Sequence, residues 1–151
     1  MAFELIGVAS DHGGFNLKEV LKGFLESLGF TVMDYGTNST DSVDYPDYAA
    51  AICRGILTGQ ISRGVLLCGT GIGASIAANR FRGIRAALCH DAYTAEMSRR
   101  HNDSNILVMG GRVIGEEVAK HLLKVWLETP FEGGRHHRRL TLIEWNSRKG
   151  E

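Results

Sequence analysis

The chain has only three cysteines, two prolines and no net charge in 151 residues. Cys53, Cys68 and Cys89 are odd in number and far apart, a pattern that builds neither a disulfide framework nor the paired spacing of a zinc site. Each is expected to be a free thiol. Seventeen basic residues balance seventeen acidic ones, which excludes a global field drawing the molecule to nucleic acid or to an anionic membrane. Any anion site must therefore be local. No apolar run approaches the ~18 residues of a membrane span. Met1-Ala2-Phe3-Glu4 lacks the basic start and apolar stretch of a signal peptide, so a soluble, cytoplasmic protein is expected. Internal repeats and low-complexity linkers are missing too. With 44% hydrophobic residues, residues 1–151 are long enough to bury one core and short for two, and they read as a single domain.

Short apolar, β-rich runs occur at Leu5 to Ala9, Thr31 to Tyr35, Gly64 to Cys68, Ile84 to Leu88 and Asn105 to Met109, each too short for a full helix. Between them lie stretches with helical spacing: Phe15 to Leu28, Pro46 to Leu57, Ile72 to Phe81, Ala92 to His101 and Gly115 to Leu127. Strands alternating with helices imply right-handed crossovers and a parallel sheet covered on both faces. The expected fold is a Rossmann-like three-layer α/β/α sandwich with a five-stranded parallel sheet. A loop at Glu128 to Gly134 precedes a last helix, Arg135 to Asn146. A helix added after a complete sheet often packs on a neighbour, which points to a dimer.

In such a sheet ligands bind beyond the carboxyl ends of the strands. The first strand ends in Ser10-Asp11-His12-Gly13-Gly14, either a turn in which Asp11 caps the next helix or an acid and an imidazole at the site. The third ends in Cys68-Gly69-Thr70-Gly71-Ile72-Gly73-Ala74-Ser75. Its glycines let backbone N–H groups converge on a phosphate or an oxyanion, although glycines also permit close packing without a ligand. Cys68 is either a small buried hydrophobe or, beside that loop, a favoured thiolate able to act as nucleophile or base. Cys53, within a helical pattern, and Cys89, with no glycine loop after it, read as structural. His101 and Asn102 just precede the fifth strand, at the end of the sheet opposite Cys68. They are a polar loop, or they join the site from a partner chain. Gly133-Gly134-Arg135-His136-His137-Arg138-Arg139 is a solvated basic turn or a phosphate grip in which Arg135 and Arg139 share one helix face. Arg112, after Gly110-Gly111, is a third contact or a surface charge.

These segments, with Asp44-Tyr45-Pro46-Asp47-Tyr48-Ala49, Ile76-Ala77-Ala78-Asn79-Arg80 and Gly83-Ile84-Arg85-Ala86, resemble the ribose-5-phosphate isomerase B family end to end. That family also includes allose-6-phosphate and galactose-6-phosphate isomerases. The resemblance implies an aldose–ketose isomerase that interconverts ribose 5-phosphate and ribulose 5-phosphate through an enediolate. It implies a homodimer, sometimes paired into tetramers, with active sites shared between subunits and no metal or organic cofactor. Carried over by position, Cys68 is the base that moves the proton between C1 and C2, and Gly69, Thr70, Gly71, Ile72, Gly73 and Ala74 cradle the enediolate. One branch of the family replaces the cysteine and supplies a glutamate where this chain has Ala74; Cys68 places this chain in the cysteine branch. His101, helped by Asp11 or Thr70, opens the furanose ring. Asn102 and Tyr45 contact substrate, and His12, Arg112, Arg135 and Arg139 grip the phosphate with His136 at its border. The resemblance implies that galactose-6-phosphate isomerase subunits tend to lack the Gly-Gly-Arg-His tail and the His-Asn pair, so their presence favours ribose 5-phosphate, with allose 6-phosphate second, within pentose or hexose phosphate metabolism such as the pentose phosphate pathway.

Three other readings compete. Gly69, Gly71 and Ala74 satisfy a G-x-G-x-x-A pattern with Asp91 about 20 residues on, as in a nucleotide-binding enzyme, but the turn follows the third strand and no second domain remains. A receiver-type signalling module would end its third strand in aspartate. A non-catalytic regulatory homologue is opposed by the intact cysteine, histidine and arginine positions.

Overall fold

The computed structural model describes residues 4–150. Five strands, β1 (Leu5–Ser10), β2 (Thr31–Asp34), β3 (Arg63–Cys68), β4 (Ala86–Leu88) and β5 (Ile106–Gly110), form one sheet in the order β2-β1-β3-β5-β4. Every neighbouring pair is parallel. The helices are α1 (Phe15–Ser27), α2 (Tyr45–Leu57), α3 (Ile72–Ala78), α4 (Ala92–Arg100), α5 (Glu116–Glu128) and α6 (Arg135–Lys149). The chain is a Rossmann-like α/β protein, as its alternating pattern predicts.

Strand alternation divides the core in two. Val65, Leu67, Leu107 and Met109 face α1, α4 and α5, where Leu21, Ala95, Leu123 and Trp126 meet them. Leu66, Cys68, Ile106 and Val108 face α2 and α3 and meet Ala49, Ile52, Cys53, Ala74 and Ala78. Because both faces are covered, the central strands are apolar throughout instead of alternating with polar residues. Trp126 is fully buried, donates from Nε1 to Ser104 Oγ at 2.8 Å and has the Arg63 guanidinium 5.1 Å from its ring. Its one polar atom is thus satisfied, and a cation lies against its π face.

Local signals explain most boundaries. Gly29 stops α1 with φ +94°: its N–H donates to Glu26 O at 3.0 Å and the Phe30 N–H to Leu25 O at 3.1 Å, the paired bonds of a Schellman cap. Two elements are shorter than their apolar runs. β4 begins at Ala86, not Ile84, because the Arg85 and Ala86 N–H groups donate to the side chains of Asn105 and Asn79, both at 2.8 Å. α3 ends at Ala78 because Asn79 turns toward β4 to make this bond.

α6 stands outside both layers. Leu142, Ile143 and Trp145 are 42%, 53% and 54% exposed, so its apolar residues are not buried in this chain's own core.

Candidate active site

The chain runs from β1 out to β2 and then back across to β3, so the order in which strands are added reverses between β1 and β3. The loops after these two strands flank the crevice where α/β sheets bind ligands. The loop after β5 joins them. The Gly111 N–H donates to Cys68 O at 2.8 Å and the Arg112 N–H to Gly69 O at 3.0 Å. A Cβ at Gly111 would meet Gly13 O at 2.6 Å, so the three loops pack backbone against backbone. Gly71 adopts φ +80°, and a Cβ there would meet Leu88 at 2.5 Å; no side chain fits without moving the loop.

Cys68 closes β3 and is 5% exposed. Its Sγ accepts the Gly71 N–H at 3.1 Å, so an amide dipole of the glycine loop faces the sulfur. The other two thiols are inert. Burial pushes Cys53 up to about 12, and burial also raises Cys89, which keeps both protonated.

Asp11 does not cap α1. Its Oδ1 accepts the Gly13 and Gly14 N–H groups at 2.9 and 3.2 Å, folding the carboxylate back on its own loop. Its Oδ2 takes no hydrogen bond from any described residue. His12 Nδ1 accepts the Val43 N–H at 3.2 Å, so its proton sits on Nε2, which is left to donate to an anion. Thr70 is exposed, and its Oγ1 accepts the Ile72 N–H at 3.2 Å. Tyr45 lies over Gly73, where a Cβ would meet its ring at 2.6 Å. Arg112 reaches back over the loop: a Cβ at Gly69 would meet its Nη1 at 3.3 Å. Asp11, His12, Tyr45, Cys68, Arg112 and the loop from Gly69 to Ala74 thus share one end of the sheet.

The remaining predicted residues are elsewhere. His101 is the C-cap of α4 and Asn102 follows it; their loop leads into the start of β5, whereas Cys68 is level with its last residue, Gly110. The length of β5, about 17 Å at ~3.3 Å per residue, separates them. His101 instead stacks on His136, ring centroids 4.3 Å apart. The Glu132 N–H donates to Arg100 O at 3.1 Å, tying the tail loop and α6, with Arg135 and Arg139, to this end. Arg112, Arg135 and Arg139 have no carboxylate partner among the described residues, whereas Arg63, Arg85, Arg99 and Arg100 do. A groove of about 650 Å³, lined in part by Phe81, Arg85, Asn102, Leu140 and Ile143, also opens here and not at Cys68.

Two supporting groups escaped the sequence reading. His90 Nε2 accepts the Gly110 N–H at 2.9 Å and pins the turn that delivers Arg112. Lys18 is fully buried and donates to Asp34 Oδ1 and Oδ2 at 2.8 and 2.7 Å. Asp34 Oδ1 also accepts the Gly36 N–H at 2.9 Å, and Gly36 O accepts the Ser10 N–H at 2.7 Å. The ion pair is therefore linked through two bonds to the residue preceding Asp11. Lys18 lies three residues before Leu21 and seven before Leu25, so the helical spacing of α1 places it on the buried face; its ion pair with Asp34 is what the spacing does not show. Asp91 caps α4 by accepting the Thr94 N–H at 2.7 Å, so the acid that a nucleotide ribose would need is already engaged.

Residues 6–143 match the Ribose/Galactose Isomerase family. The Escherichia coli ribose-5-phosphate isomerase B is 46% identical over 91% of this chain and 93% of its own. A D-erythrulose-4-phosphate isomerase of Pectobacterium atrosepticum is 43% identical over 85% of this chain and 86% of its own. The crystal structure of a Thermotoga maritima ribose 5-phosphate isomerase, 52% identical, superposes with a TM-score of 0.93 over 95% of this chain and 99% of that one. By fold, by the residues at its sheet edge and by these likenesses, the chain belongs to the ribose/galactose isomerase family of sugar-phosphate isomerases.

Proposed function

We propose that this chain interconverts ribose 5-phosphate and ribulose 5-phosphate at sites shared between two subunits, with Cys68 as the base. The observation that carries this reading is Cys68 Sγ accepting the Gly71 N–H at the mouth of the glycine loop. Isomerisation removes a weakly acidic C–H proton and leaves negative charge on two oxygens, so it needs a base and preorganised donors together. Cys68 takes the proton from C2 of the aldose and returns it to C1. Amides from Gly69 to Ala74 face the enediolate formed in between.

The furanose must open first, which requires a proton to move from the C1 hydroxyl to the ring oxygen. His101 of one subunit performs this step beside Asp11 and Thr70 of the other, because a single chain holds these groups at opposite ends of its sheet. Asn102 and Tyr45 flank the sugar. His12 and Arg112 from one subunit and Arg135, His136 and Arg139 from the other hold the phosphate, which fixes the reacting carbons against Cys68. The uncovered residues of α6 support pairing of two chains.

Mixed subunits test the sharing. Cys68→Ala and His101→Asn homodimers are each expected to be nearly inactive. Unfolding and refolding them together in equal amounts should restore about a quarter of wild-type activity, since half the dimers then carry one intact site. No recovery, with heterodimers shown to form, would put both residues in the same subunit's site.

A second reading concerns sugar length only, and the D-erythrulose-4-phosphate isomerase among the relatives favours it. A change of one carbon alters pocket discrimination by about 1–3 kcal/mol. Turnover of ribose 5-phosphate, allose 6-phosphate and erythrulose 4-phosphate by the purified protein, compared by kcat/KM, decides it. The expected order puts ribose 5-phosphate first; no activity on any of them would overturn the proposal.

A further inference from the structure

His136 is 6% exposed, and its Nε2 has no hydrogen-bond partner among the described residues. That nitrogen lies 3.3 Å from Glu132 Oε2, within ion-pair distance but outside hydrogen-bond geometry. Its ring is stacked on His101 at an interplanar angle of 12°. One donor atom from each of His101, Glu132 and His136 lies within 4.8 Å of the other two. A buried, unbonded nitrogen is costly, and here it faces two further groups that can bind a cation.

Two imidazole nitrogens and one carboxylate oxygen suit zinc and its first-row neighbours, which bind such atoms at about 2.0–2.2 Å. Contraction around an ion requires the two rings to fan apart, because a metal bond lies in the imidazole plane. Glu132 is exposed and His101 half-buried, so both can turn. Burial, then the neighbouring His101 and Arg135, hold His136 below the ordinary histidine value. Arg135 and Arg139 oppose a dication through the same field, which makes binding reversible and weaker than at a structural zinc site.

We propose that His101, Glu132 and His136 form a reversible site for a divalent first-row transition ion of the zinc class. Its effect on catalysis rests on the role given to His101 above. An ion bound there takes the imidazole lone pair that ring opening uses, so metal binding and turnover exclude each other.

Cobalt(II) is the probe, read by its visible absorption, with zinc titrated by calorimetry on the wild-type protein and on Glu132→Gln. The wild type should develop a cobalt spectrum free of thiolate charge-transfer bands, and Cys68→Ala should retain it. Glu132→Gln should keep its turnover yet bind cobalt at least about tenfold more weakly and lose inhibition by it. The proposal is overturned by the absence of a cobalt spectrum, by equal affinity in Glu132→Gln, or by a thiolate band that Cys68→Ala abolishes. Cobalt bound through Glu132 with undiminished turnover would uphold the site and remove His101 from ring opening instead.

Discussion

Cys68→Ala is expected to lower kcat by about two to four orders of magnitude while the Michaelis constant stays within a few-fold. The sulfur touches the reacting carbon in this mechanism, whereas the phosphate is held by His12 and by arginines at other positions. Loss of the base therefore removes an interaction used in the transition state and leaves ground-state binding. Stability should change little, because the substitution replaces one small buried side chain with another. The Gly71 N–H loses its acceptor, at a cost of about 1 kcal/mol. Cys68→Ser separates shape from chemistry: it keeps a hydrogen-bond acceptor near Gly71 but puts a hydroxyl, intrinsically a far weaker acid than a thiol, in its place, so it should be nearly as slow. Steady-state kinetics and thermal melts of both variants provide the measurement. Near-normal turnover in either, with the fold intact, would assign the proton transfer to another group.

Asp34→Ala is expected to destabilise the protein by about 3 kcal/mol, since it leaves the fully buried Lys18 ammonium without its main partner. Glu19 Oε1, 3.0 Å away, offsets part of the loss. Lys18→Met should cost far less, because a hydrophobic residue of similar length removes the buried charge rather than stranding it. Denaturant unfolding of the two variants gives the comparison; equal effects would show that the ion pair is not what anchors this corner. The pH dependence has a definite sign. Burial pushes the Asp34 carboxyl up, but hydrogen bonds from Lys18 and the Gly36 N–H, with the lysine charge, outweigh it and hold the group below its ordinary value. Its stabilisation is therefore fully present above the unfolded carboxylate value of about 3.9 and is lost as pH falls through the folded one. In Asp34→Ala that acid-labile component should disappear.

The two variants touch different levels of one structure. In the proposed mechanism Cys68 is in contact with the chemistry. Asp34 supports, through Gly36 and Ser10, the loop that carries Asp11 and His12. Asp34→Ala is thus expected to affect activity only through the fraction folded and the order of that loop, never as strongly as Cys68→Ala.

Sequence alone determined the α/β class and all five strands and six helices, and by residue type it pointed to the Cys68 loop as the chemical centre. These features depend on period, on the glycine and proline signals and on apolar runs, all local in the chain. Its motifs also carried the family. Tertiary structure decided what depends on distance. It gave the inward-facing Lys18 of α1 its partner, because the charge is stable there only with Asp34 at the end of β2 opposite it. It engaged Asp11 Oδ1 with two amides and Asp91 with a helix end, leaving their capping and ligand roles to geometry that residue identity does not encode. It also set His101, His136 and Glu132 together at the end of the sheet remote from Cys68. Glu132 and His136 are four residues apart, but nothing in the sequence spacing reveals their contact with His101, since it arises where a loop after α5 folds back over the end of α4.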